Sequence, residues 1–492
     1  MKGEKWVANN VVNKAVSATK WSTLSEIVSK SISPITNMIL ARILAPEAFG
    51  VLATVQMVIA FAEVFVDSSF QKYLIQHQFK SKSEEHKYMS VAFWANLFIG
   101  LVVWGIVSIF NAPIAELVGD SGKGHLLIIV GITIPLYGIV GIQNSKIRKE
   151  LDFKKLFYVR IISALVPLCV TVPLALLGFD YWALIIGNIA GVTLRVIVLS
   201  LMKTFKPKFF FSFQYLNKML GYTIWTLLNG LFVWLVAWLD TFLIGRYLND
   251  YHLGIYKNSI SMITTIFGII TASITPVLFS TLSKLQKNDV EFKKFYLGIQ
   301  KAIACLIIPM GLGLFMYREF ATYILFGEKW GDAVDVIGIN ALTMVFRTLF
   351  VSLNGDVFRS KGCFKTPLFI EIIDIIVTLP VCVYVLNNND FMTYVYVKAL
   401  LRLVPIIPEF IMLKLKCKID FSSIFKNVYK YFVSSAVMGL FIAMFKMVDT
   451  SFFWNVISII FCVFIYFGTL MCIPKERHFI LKFFQEKAKI RK

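Results

Sequence analysis

Charged side chains are scarce in this sequence of 492 residues. Asp, Glu, Lys and Arg make up 16% of it, whereas about 25% is usual for soluble domains. The five histidines show no metal-ligand spacing, and the seven cysteines are scattered without a C-x-x-C pair. This pattern argues against a zinc site and against a disulfide framework. We therefore predict neither a metal nor another cofactor.

Sequence signatures of catalysis are also missing. There is no phosphate-binding P-loop and no Gly-x-Ser-x-Gly nucleophile elbow. The lack of these motifs favours a protein that is not an enzyme.

The N-terminal stretch MKGEKWVANNVVNK has no short apolar core followed by a small-residue cleavage site, so we expect no cleaved signal peptide.

Long apolar runs, in contrast, are abundant. Hydrophobic residues make up 58% of the chain, and the mean hydropathy is +0.72. Runs of about 20 apolar residues recur, such as YMSVAFWANLFIGLVVWGIVSIF at 88–110, and a helix of that length crosses a hydrocarbon layer of about 30 Å. The predicted fold class is therefore an all-α polytopic membrane protein.

Fourteen membrane spans fit the pattern. They are placed at 18–40, 48–69, 88–110, 125–143, 157–178, 181–202, 220–245, 253–279, 296–317, 333–357, 366–386, 391–413, 427–445 and 452–473. With both termini in the cytoplasm, the predicted inner segments hold 34 of the 50 Lys and Arg residues and the predicted outer loops hold 6, which supports the count and the orientation. The net charge of +21 is then mainly a topology signal. No nucleic-acid partner is predicted, because no basic stripe is interleaved with aromatic residues on a soluble domain.

One loop sequence occurs twice. Residues 40–52, LARILAPEAFGVL, align without a gap with residues 244–256, IGRYLNDYHLGIY, so that Gly50 pairs with Gly254. The offset is six spans, an even number, and both copies therefore have the same orientation in the membrane, as in a parallel repeat. Chance similarity and the common needs of a short outer hairpin could also account for the likeness.

A second pair of similar segments supports internal duplication. ELVGD at 116–120 and ILFGE at 324–328 occupy equivalent predicted outer loops. We therefore predict two pseudo-symmetric six-helix bundles and two C-terminal helices. Lys and Phe are mixed in the segment that joins the bundles, which predicts a helix lying in the inner interface. The predicted segments are 1–202 and 220–415 for the bundles, 203–219 for the interfacial linker, 416–474 for the two extra transmembrane helices and 475–492 for a basic cytoplasmic tail.

Three motifs resemble a known family. They are L-A-R-x-L-x-P-x-x-F-G at 40–50, D-T-F-L-I-G-R-x-L-x-x-x-x-L-G-x-Y at 240–256 and F-G-E-K-W at 326–330. Together with the fourteen spans they resemble polysaccharide-repeat-unit flippases of the multidrug/oligosaccharidyl-lipid/polysaccharide exporter superfamily. The resemblance implies that an undecaprenyl-diphosphate-linked oligosaccharide moves from the inner to the outer leaflet of a bacterial plasma membrane, for surface polysaccharide such as lipopolysaccharide. It also implies membrane lipids, a polysaccharide polymerase and a chain-length regulator as partners.

Polar residues form stripes on several predicted helices. Spacings of three and four residues place them on one face of each helix. In the resembled family, helices 1, 2, 7 and 8 wall a central cavity. The stripes of spans 1, 2 and 8 include Thr19, Thr23, Glu26, Lys30, Ser33, Asn37, Gln56, Glu63, Asp67, Lys257, Ser261 and Thr264.

Cations inside the spans suggest a site for an anionic substrate. A charge in hydrocarbon costs about 2.5–3.5 kcal/mol on insertion scales, so such residues normally face a cavity or each other. Lys398 and Arg402 are spaced i,i+4 and repel, which requires an anionic partner, either an acid such as Glu371 or Asp374 or a ligand phosphate. The candidate substrate-binding residues are Lys30, Arg347, Lys398, Arg402, Asn37 and Asn340.

Several charges within the spans can also be accommodated without a ligand. Lys30 can simply pair with Glu26 on its own helix. Arg195, Lys301 and Lys257 lie near helix ends, so their charged groups can reach the interface.

Acidic residues in the spans are candidates for coupling transport to protons or sodium. Helix-packing ion pairs would have the same sequence pattern. The candidate ion-coupling residues are Glu26, Asp67, Asp240 and Asp374.

Three rival functions fit parts of the sequence. An integral-membrane polymerase needs a sizeable external loop, but the longest predicted one, 318–332, contains only Glu319, Glu328 and Asp332 as acids. An exporter of cationic drugs from the same superfamily should have an acidic and aromatic cavity, whereas the inferred cavity has cations at its deepest points. A peptidoglycan-precursor flippase fits the same electrostatics and stays open.

Overall fold

The computed structural model describes most of the chain. The described residues are 31–67, 69–120, 122–202, 204–363, 365–388, 390–474, 476 and 477, together with 21, 24, 25, 28 and 29. Throughout these residues the regular structure is helical, which confirms the predicted class. Contacts divide the chain into two compact units, residues 1–258 (unit 1) and 259–492 (unit 2). The predicted bundle boundaries follow the repeat instead of the contacts, and they stay a prediction.

Unit 1 is built from eleven described helices and the start of a twelfth. A π-helical turn, Pro167–Thr171, joins α8 to α9. The helices are residues 31–43 (α1), Pro46–Asp67 (α2), Ser69–Gln76 (α3), Lys82–Ile109 (α4), Asn111–Leu117 (α5), Gly124–Gly131 (α6), Thr133–Lys149 (α7), Phe153–Val166 (α8), Val172–Leu176 (α9), Tyr181–Leu201 (α10), Phe213–Tyr247 (α11) and Asp250–Leu285 (α12).

The core of unit 1 forms around α2. Val51, Val55, Val58, Ala62 and Val66 recur at intervals of three and four residues, so they share one face, and all five are buried. They pack against α4, α6, α7 and α10. Since lipid tails are as apolar as these side chains, close packing rather than exclusion from water holds such helices together.

The helix α11 packs onto the same core, which explains why it belongs to unit 1. The Trp234 indole Nε1 donates a hydrogen bond to the Met57 carbonyl oxygen on α2 (3.0 Å). Trp238 and Phe242, one and two turns further along, also pack against that core. The indoles satisfy a carbonyl inside the membrane while filling space between the two helices.

Unit 2 continues from α12 and includes a second π-helical turn, Thr348–Ser352, between α15 and α16. Helix α13 packs on α15 and α20, and α20 packs on α21. The helices are Asp289–Met316 (α13), Arg318–Phe326 (α14), Ala333–Arg347 (α15), Asn354–Ser360 (α16), Lys365–Asn388 (α17), Phe391–Leu401 (α18), Ile406–Cys417 (α19), Phe421–Val448 (α20) and Phe452–Met471 (α21).

Twelve helices in the described part of the chain are long and apolar enough to span a membrane. They correspond to predicted spans 2 to 11, 13 and 14. Predicted span 1 is described in part: residues 31–40 belong to α1, while eight of its 23 residues, all before residue 31, lie outside the described residues. Predicted span 12 is broken by turns at 402–405 into α18 and α19, because Pro405 has no N–H for a continuous helix. The count of fourteen stays a prediction.

The segment between α10 and α11 differs from its prediction. Residues 204–212 are not helical, so the predicted interfacial helix is wrong there, and the helical residues from Phe213 belong to α11. Pro207 disfavours the helical conformation of the residue before it. The segment instead docks on α4: the Trp94 indole donates to the Lys208 carbonyl oxygen (2.9 Å) and stacks on the Phe209 ring. The tail 478–492 lies outside the described residues.

The outward faces of the long helices are strongly apolar. Phe98 on α4 is 68% exposed, and Leu440 on α20 is 69% exposed. Many neighbouring Leu, Ile, Val and Phe side chains are exposed as well. Soluble monomers rarely expose apolar surface on this scale, so these faces contact lipid in a multi-pass membrane protein.

Candidate functional site

Unit 1 encloses a polar chamber of about 500 Å³ between α1, α2, the α8–α9 segment and α10. Apolar side chains also line its wall, namely Leu40, Leu52, Ala164, Pro167 and Leu184. The polar lining residues are Ser29, Ser33, Thr36, Asn37, Gln56, Arg160, Ser163, Thr171, Asn188 and Arg195.

Helical spacing brings these side chains to one place. On α1, Ser33 and Asn37 are one turn apart, as the predicted stripe requires. On α10, Asn188 and Arg195 are seven residues, or two turns, apart and share a face. Asn37 thus lines this chamber, and its predicted role in substrate binding stays a prediction.

Several hydroxyl groups of the chamber already donate hydrogen bonds within the protein. The hydroxyl of Ser33 donates to the Ser29 carbonyl oxygen (3.1 Å), that of Thr36 to the Ile32 carbonyl (3.1 Å) and that of Ser163 to the Val159 carbonyl (2.7 Å). Their oxygens can still accept hydrogen bonds. These hydroxyls therefore suit a ligand that donates, such as a sugar hydroxyl.

Two arginines provide the donors and the positive charge of the chamber. The Arg160 Nη1 atom donates to the Ser25 hydroxyl (3.3 Å), which orients its guanidinium from α8. Among the residues that the structure describes, no acceptor lies within hydrogen-bonding distance of Arg195, which is half-buried on α10. None of the described lining residues is an Asp or Glu. The site is thus suited to an anion, because arginine holds phosphate oxygens through two parallel hydrogen bonds.

The wall of the chamber includes the π-helical turn of span 5. Pro167 starts the turn and Thr171 ends it, and both line the chamber. A Cβ atom on Gly187 of α10 would overlap the Thr171 hydroxyl, so the two backbones approach closely there. π-Helical turns inside α-helices are frequent at functional sites.

Sequence reasoning missed Arg160 and assigned Arg195 to the interface. The spacing in the sequence could have identified Arg160: Arg160, Ser163 and Pro167 are at positions i, i+3 and i+7, which places the arginine on the polar face of its helix. For Arg195, proximity to a helix end had favoured the interface. The structure instead places Arg195 in the chamber wall.

Of the other predicted substrate residues, those that the structure describes do not line this chamber. Lys30 is outside the described residues. Asn340 on α15 is fully buried and donates to the Val336 carbonyl oxygen of its own helix (2.8 Å). Arg347 is half-buried at the end of α15, where its charge acts on Glu371 of α17. An electropositive midplane formed by these residues stays a prediction.

Lys398 and Arg402 are half-buried beside the break in predicted span 12. Arg402 directly follows α18 as the first residue of the break, and its backbone N–H donates to the Lys398 carbonyl oxygen (3.2 Å). Non-helical backbone at membrane depth is tolerated where it is buried in protein or lines a water-filled cavity. The position is compatible with a role in binding, which stays a prediction.

Of the predicted ion-coupling acids, two can be located. Asp240 on α11 accepts a hydrogen bond from the Tyr256 hydroxyl (3.2 Å). Asp374 on α17 accepts one from Thr378 of its own helix (3.0 Å). Glu26 and the side chain of Asp67 lie outside the described residues. Ion coupling through these acids stays a prediction.

The two copies of the repeated loop contact each other at the predicted outer end of unit 1. A Cβ atom on Gly50 would overlap the Asp250 carbonyl oxygen, and a Cβ atom on Gly254 would overlap the Pro46 carbonyl oxygen. The contact is reciprocal, because Pro46 and Asp250 are themselves equivalent in the repeat. Only glycine permits this approach of α2 and α12.

An ion-paired cluster lies beside this contact. The Lys123 ammonium binds Asp120 (2.9 Å) and also Asp250. Partial burial alone would lower the pKa of Lys123, but its hydrogen bonds to both carboxylates outweigh burial and raise it. Burial raises the pKa of Asp120, and the nearby Lys123 offsets this only in part. Arg246 adds a hydrogen bond to the Glu116 carbonyl oxygen (3.2 Å).

Unit 2 contains an apolar cavity of about 490 Å³ between α13, α14, α20 and α21. Its polar groups are occupied: the Tyr317 hydroxyl donates to Ser458 (2.8 Å), and the Tyr466 hydroxyl donates to the Cys305 carbonyl oxygen (2.8 Å). The cavity therefore suits a hydrocarbon chain and not a sugar.

Comparison with known proteins gives consistent matches. The family model described as "Polysaccharide biosynthesis protein" matches residues 39–335. The chain is 27% identical to the succinoglycan biosynthesis transport protein ExoT of Rhizobium meliloti, over 66% of this chain and 65% of that protein. It is 24% identical to the lipopolysaccharide biosynthesis protein WzxC of Escherichia coli, over 73% and 74% of the two chains.

Among solved structures, the fold is similar to that of the lipid II flippase MurJ in an inward closed conformation. The TM-score is 0.75 at 15% sequence identity, and the match covers 93% of this chain and 99% of that chain. At this identity the likeness concerns the fold alone.

Proposed function

The chain belongs to the polysaccharide biosynthesis protein family, and from that premise we propose that it transports a lipid-linked oligosaccharide across the membrane. The cargo is an oligosaccharide repeat unit on undecaprenyl diphosphate, moved from the inner to the outer leaflet of a bacterial plasma membrane for surface polysaccharide biosynthesis. The observation that carries the proposal is the polar chamber, with Arg160 and Arg195 and no acid among its described lining residues.

The chamber chemistry supports a sugar diphosphate as the cargo headgroup. Its volume of about 500 Å³ can hold a few sugar rings or a diphosphate, in the usual range for small-molecule sites. The arginines bind phosphate oxygens, while the serine and threonine oxygens accept hydrogen bonds from sugar hydroxyls. The amides of Asn37, Gln56 and Asn188 both donate and accept, so they suit hydroxyl-rich cargo.

The same charges disfavour export of cationic drugs. A cation entering the chamber would meet two guanidinium groups and no described carboxylate. At 4 Å each unfavourable pair costs on the order of 4 kcal/mol near a protein surface. A peptidoglycan-precursor flippase remains the second candidate, since that cargo would also present phosphate and sugar to the chamber.

Alternating access completes the proposed mechanism. The reciprocal contact of Gly50 and Gly254 closes the predicted outer end of unit 1, and separation of those helix ends would open it. Both termini remain cytoplasmic, and a polymerase with its chain-length regulator receives the cargo outside. The isoprenoid tail stays in lipid while the headgroup crosses.

Substitution of the chamber arginines tests the proposal. Each charged hydrogen bond contributes about 1.5–3 kcal/mol, so Arg195→Ala should lower the export rate roughly 10- to 150-fold. Arg160→Ala should behave similarly, and Arg195→Lys should retain part of the rate because the charge remains without the paired donors. The assay measures surface polysaccharide and the lipid-linked repeat units that accumulate on the inner face, at matched protein levels.

Arg148→Ala is the matched control, since this arginine is exposed at the end of α7 and outside the chamber. Its export should equal that of the unmodified protein. Full export by a variant that lacks both chamber arginines would refute the assignment of the chamber.

A further inference from the structure

Glu409 is an acid buried inside unit 2 that the proposed transport mechanism has not used. It lies on α19, the second half of the broken span, one turn after Pro405. The residue is 3% exposed. Helix α19 packs against α16, α17 and the π-helical turn Thr348–Ser352. Two irregular segments, the break and the π turn, therefore adjoin this carboxyl group.

A network of neutral polar side chains surrounds the acid. Asn354, the first residue of α16, lies beside the Glu409 carboxyl, and its amide nitrogen donates to the Phe350 carbonyl oxygen on the π turn (2.6 Å). The Tyr296 hydroxyl of α13 donates to Asn354 Oδ1 (2.9 Å), and Gln300 Nε2 contacts the same hydroxyl (3.5 Å). All three neutral side chains are fully buried.

Two oxygen atoms of this network lack a donor. Glu409 Oε2 and Gln300 Oε1 are both buried, and neither has a hydrogen-bond partner among the described residues. Leaving a buried acceptor unpaired is costly, more so when the group is charged. The arrangement is therefore incomplete as a set of purely protein contacts, and a proton on Glu409 would supply a missing donor.

No cation of the described protein neutralises the acid. Ion pairs of Glu409 with Lys or Arg are absent from the described part of unit 2. Glu371 on α17 acts on it as a like charge. The other charged groups on those elements are Asp356, Arg359, Lys365 and Asp374, with Lys414 and Lys416 on α19 itself, and Arg347 ends α15 directly before the π turn.

We propose that Glu409 is the proton-binding site of this transporter. A proton added to the carboxylate removes the buried charge and converts Oε2 from an unpaired acceptor into a donor. The neutral form allows α19 to pack against the π turn, as in this structure. Loss of the proton places an unpaired charge there and favours a state in which water reaches α19. Coupling of this change to cargo movement rests on the proposed function.

Infrared titration of the purified full-length protein tests the site without any cargo. A protonated buried carboxyl gives a carbonyl stretching band distinct from that of carboxylates. At about pH 7 exposed Glu side chains, with pKa values of about 4.3, are ionised. We expect the band of the unmodified protein to persist at that pH and to be lost in Glu409→Gln, which keeps the shape of the neutral acid.

The matched control is Glu291→Gln, an exposed acid in the first turn of α13, which should keep the band. If Glu409→Gln does not fold, Glu409→Asp provides the second variant and should shift the band rather than remove it. An unchanged band in both Glu409 variants would overturn the proposal. So would loss of the band on addition of sodium chloride at constant pH, because that result would identify a sodium site.

A vesicle assay separates this inference from the proposed function. Vesicles containing the protein and lipid-linked oligosaccharide are given a pH gradient, and the cargo that appears on the far side is measured. Glu409→Gln should abolish the stimulation by the gradient. If no cargo moves but the infrared band depends on Glu409, the proton site stands and the proposed cargo fails. If cargo moves and the gradient stimulates Glu409→Gln fully, the proton site fails.

Discussion

Alanine at Gly50 and Gly254 should open the predicted outer end of unit 1. Each new Cβ atom would be placed inside a backbone carbonyl group of the facing helix end. The Cβ atom on Gly50 would lie 2.8 Å from Asp250 Cα, and the one on Gly254 would lie 2.7 Å from the Pro46 carbonyl carbon. Because backbone atoms are involved, no side-chain rotation can relieve the overlap.

The size of the effect follows from these distances. Carbon atoms pack at about 3.5–4.0 Å, so α2 and α12 must separate by about 1 Å at each substituted position. Overpacking of this kind costs about 1–3 kcal/mol per site. The contact is made only when the helix ends meet, so each substitution should shift the equilibrium toward the open end by roughly 5- to 150-fold. Helix propensity acts in the opposite direction, since alanine is favoured over glycine by about 1 kcal/mol.

Distance measurement between two spin labels provides the assay. The labels are attached at the repeat-equivalent positions 47 and 251, in a variant whose seven native cysteines are replaced. Pulsed electron paramagnetic resonance then reports the separation of the two helix ends. We expect a longer distance or a new, longer population in each alanine variant, and a larger change in the double variant.

Gly105→Ala on α4 is the control, because nothing lies within 4 Å of its added Cβ atom. Its distance distribution should match that of the parent protein. The reasoning is refuted if Gly50→Ala and Gly254→Ala together retain the parent distribution, since the two backbones would then have room for side chains.

The ion pairs of the molecule give two further predictions. Lys123→Met removes the contacts to Asp120 and Asp250. Because the lysine side chain is 31% exposed, the free energy of unfolding should fall by no more than about 1 kcal/mol, and the spin-label distance should not change. A large fall in thermal stability would contradict this. For Glu476, burial would raise the pKa, but hydrogen bonds to Lys301 (2.8 Å) and a tyrosine outweigh it and lower the pKa below 4.5. Its stabilising effect should therefore be complete well above pH 4.5 and be lost as the pH falls through the lowered value. Thermal unfolding of Glu476→Gln at several pH values should show less loss of stability on acidification, and an unchanged pH profile would contradict the ion-pair interpretation.

Local sequence was sufficient for most of the helices and for one wall of the chamber. Each long apolar run forms a helix because its own backbone hydrogen bonds must be satisfied within lipid, whatever its neighbours are. The spacing of Ser33 and Asn37 was sufficient to place them on a polar face. The helix at 203–219 was wrong in its first half, since Pro207 and the docking of Lys208 on α4 override the amphipathic composition.

The location of a side chain that depends on several helices could not be predicted from local sequence. Arg195 was interpreted as reaching the interface because the sequence gives only its distance from a helix end, whereas the chamber that it lines exists only when α1, α2 and α8 surround α10. Glu409 was not singled out, since its neighbours Asn354 and Tyr296 come from α16 and α13, 55 and 113 residues away in the chain.

The sequence by itself determined that this is an all-α polytopic membrane protein with a duplicated loop, because apolar length and motif spacing are local properties of the chain. Only the tertiary structure decided which polar side chains share a chamber, that the duplicated loops touch through their glycines, and that Glu409 is buried without a counter-charge among the described residues. The physical reason is that burial, charge pairing and close backbone approach depend on what the other helices bring to the same place.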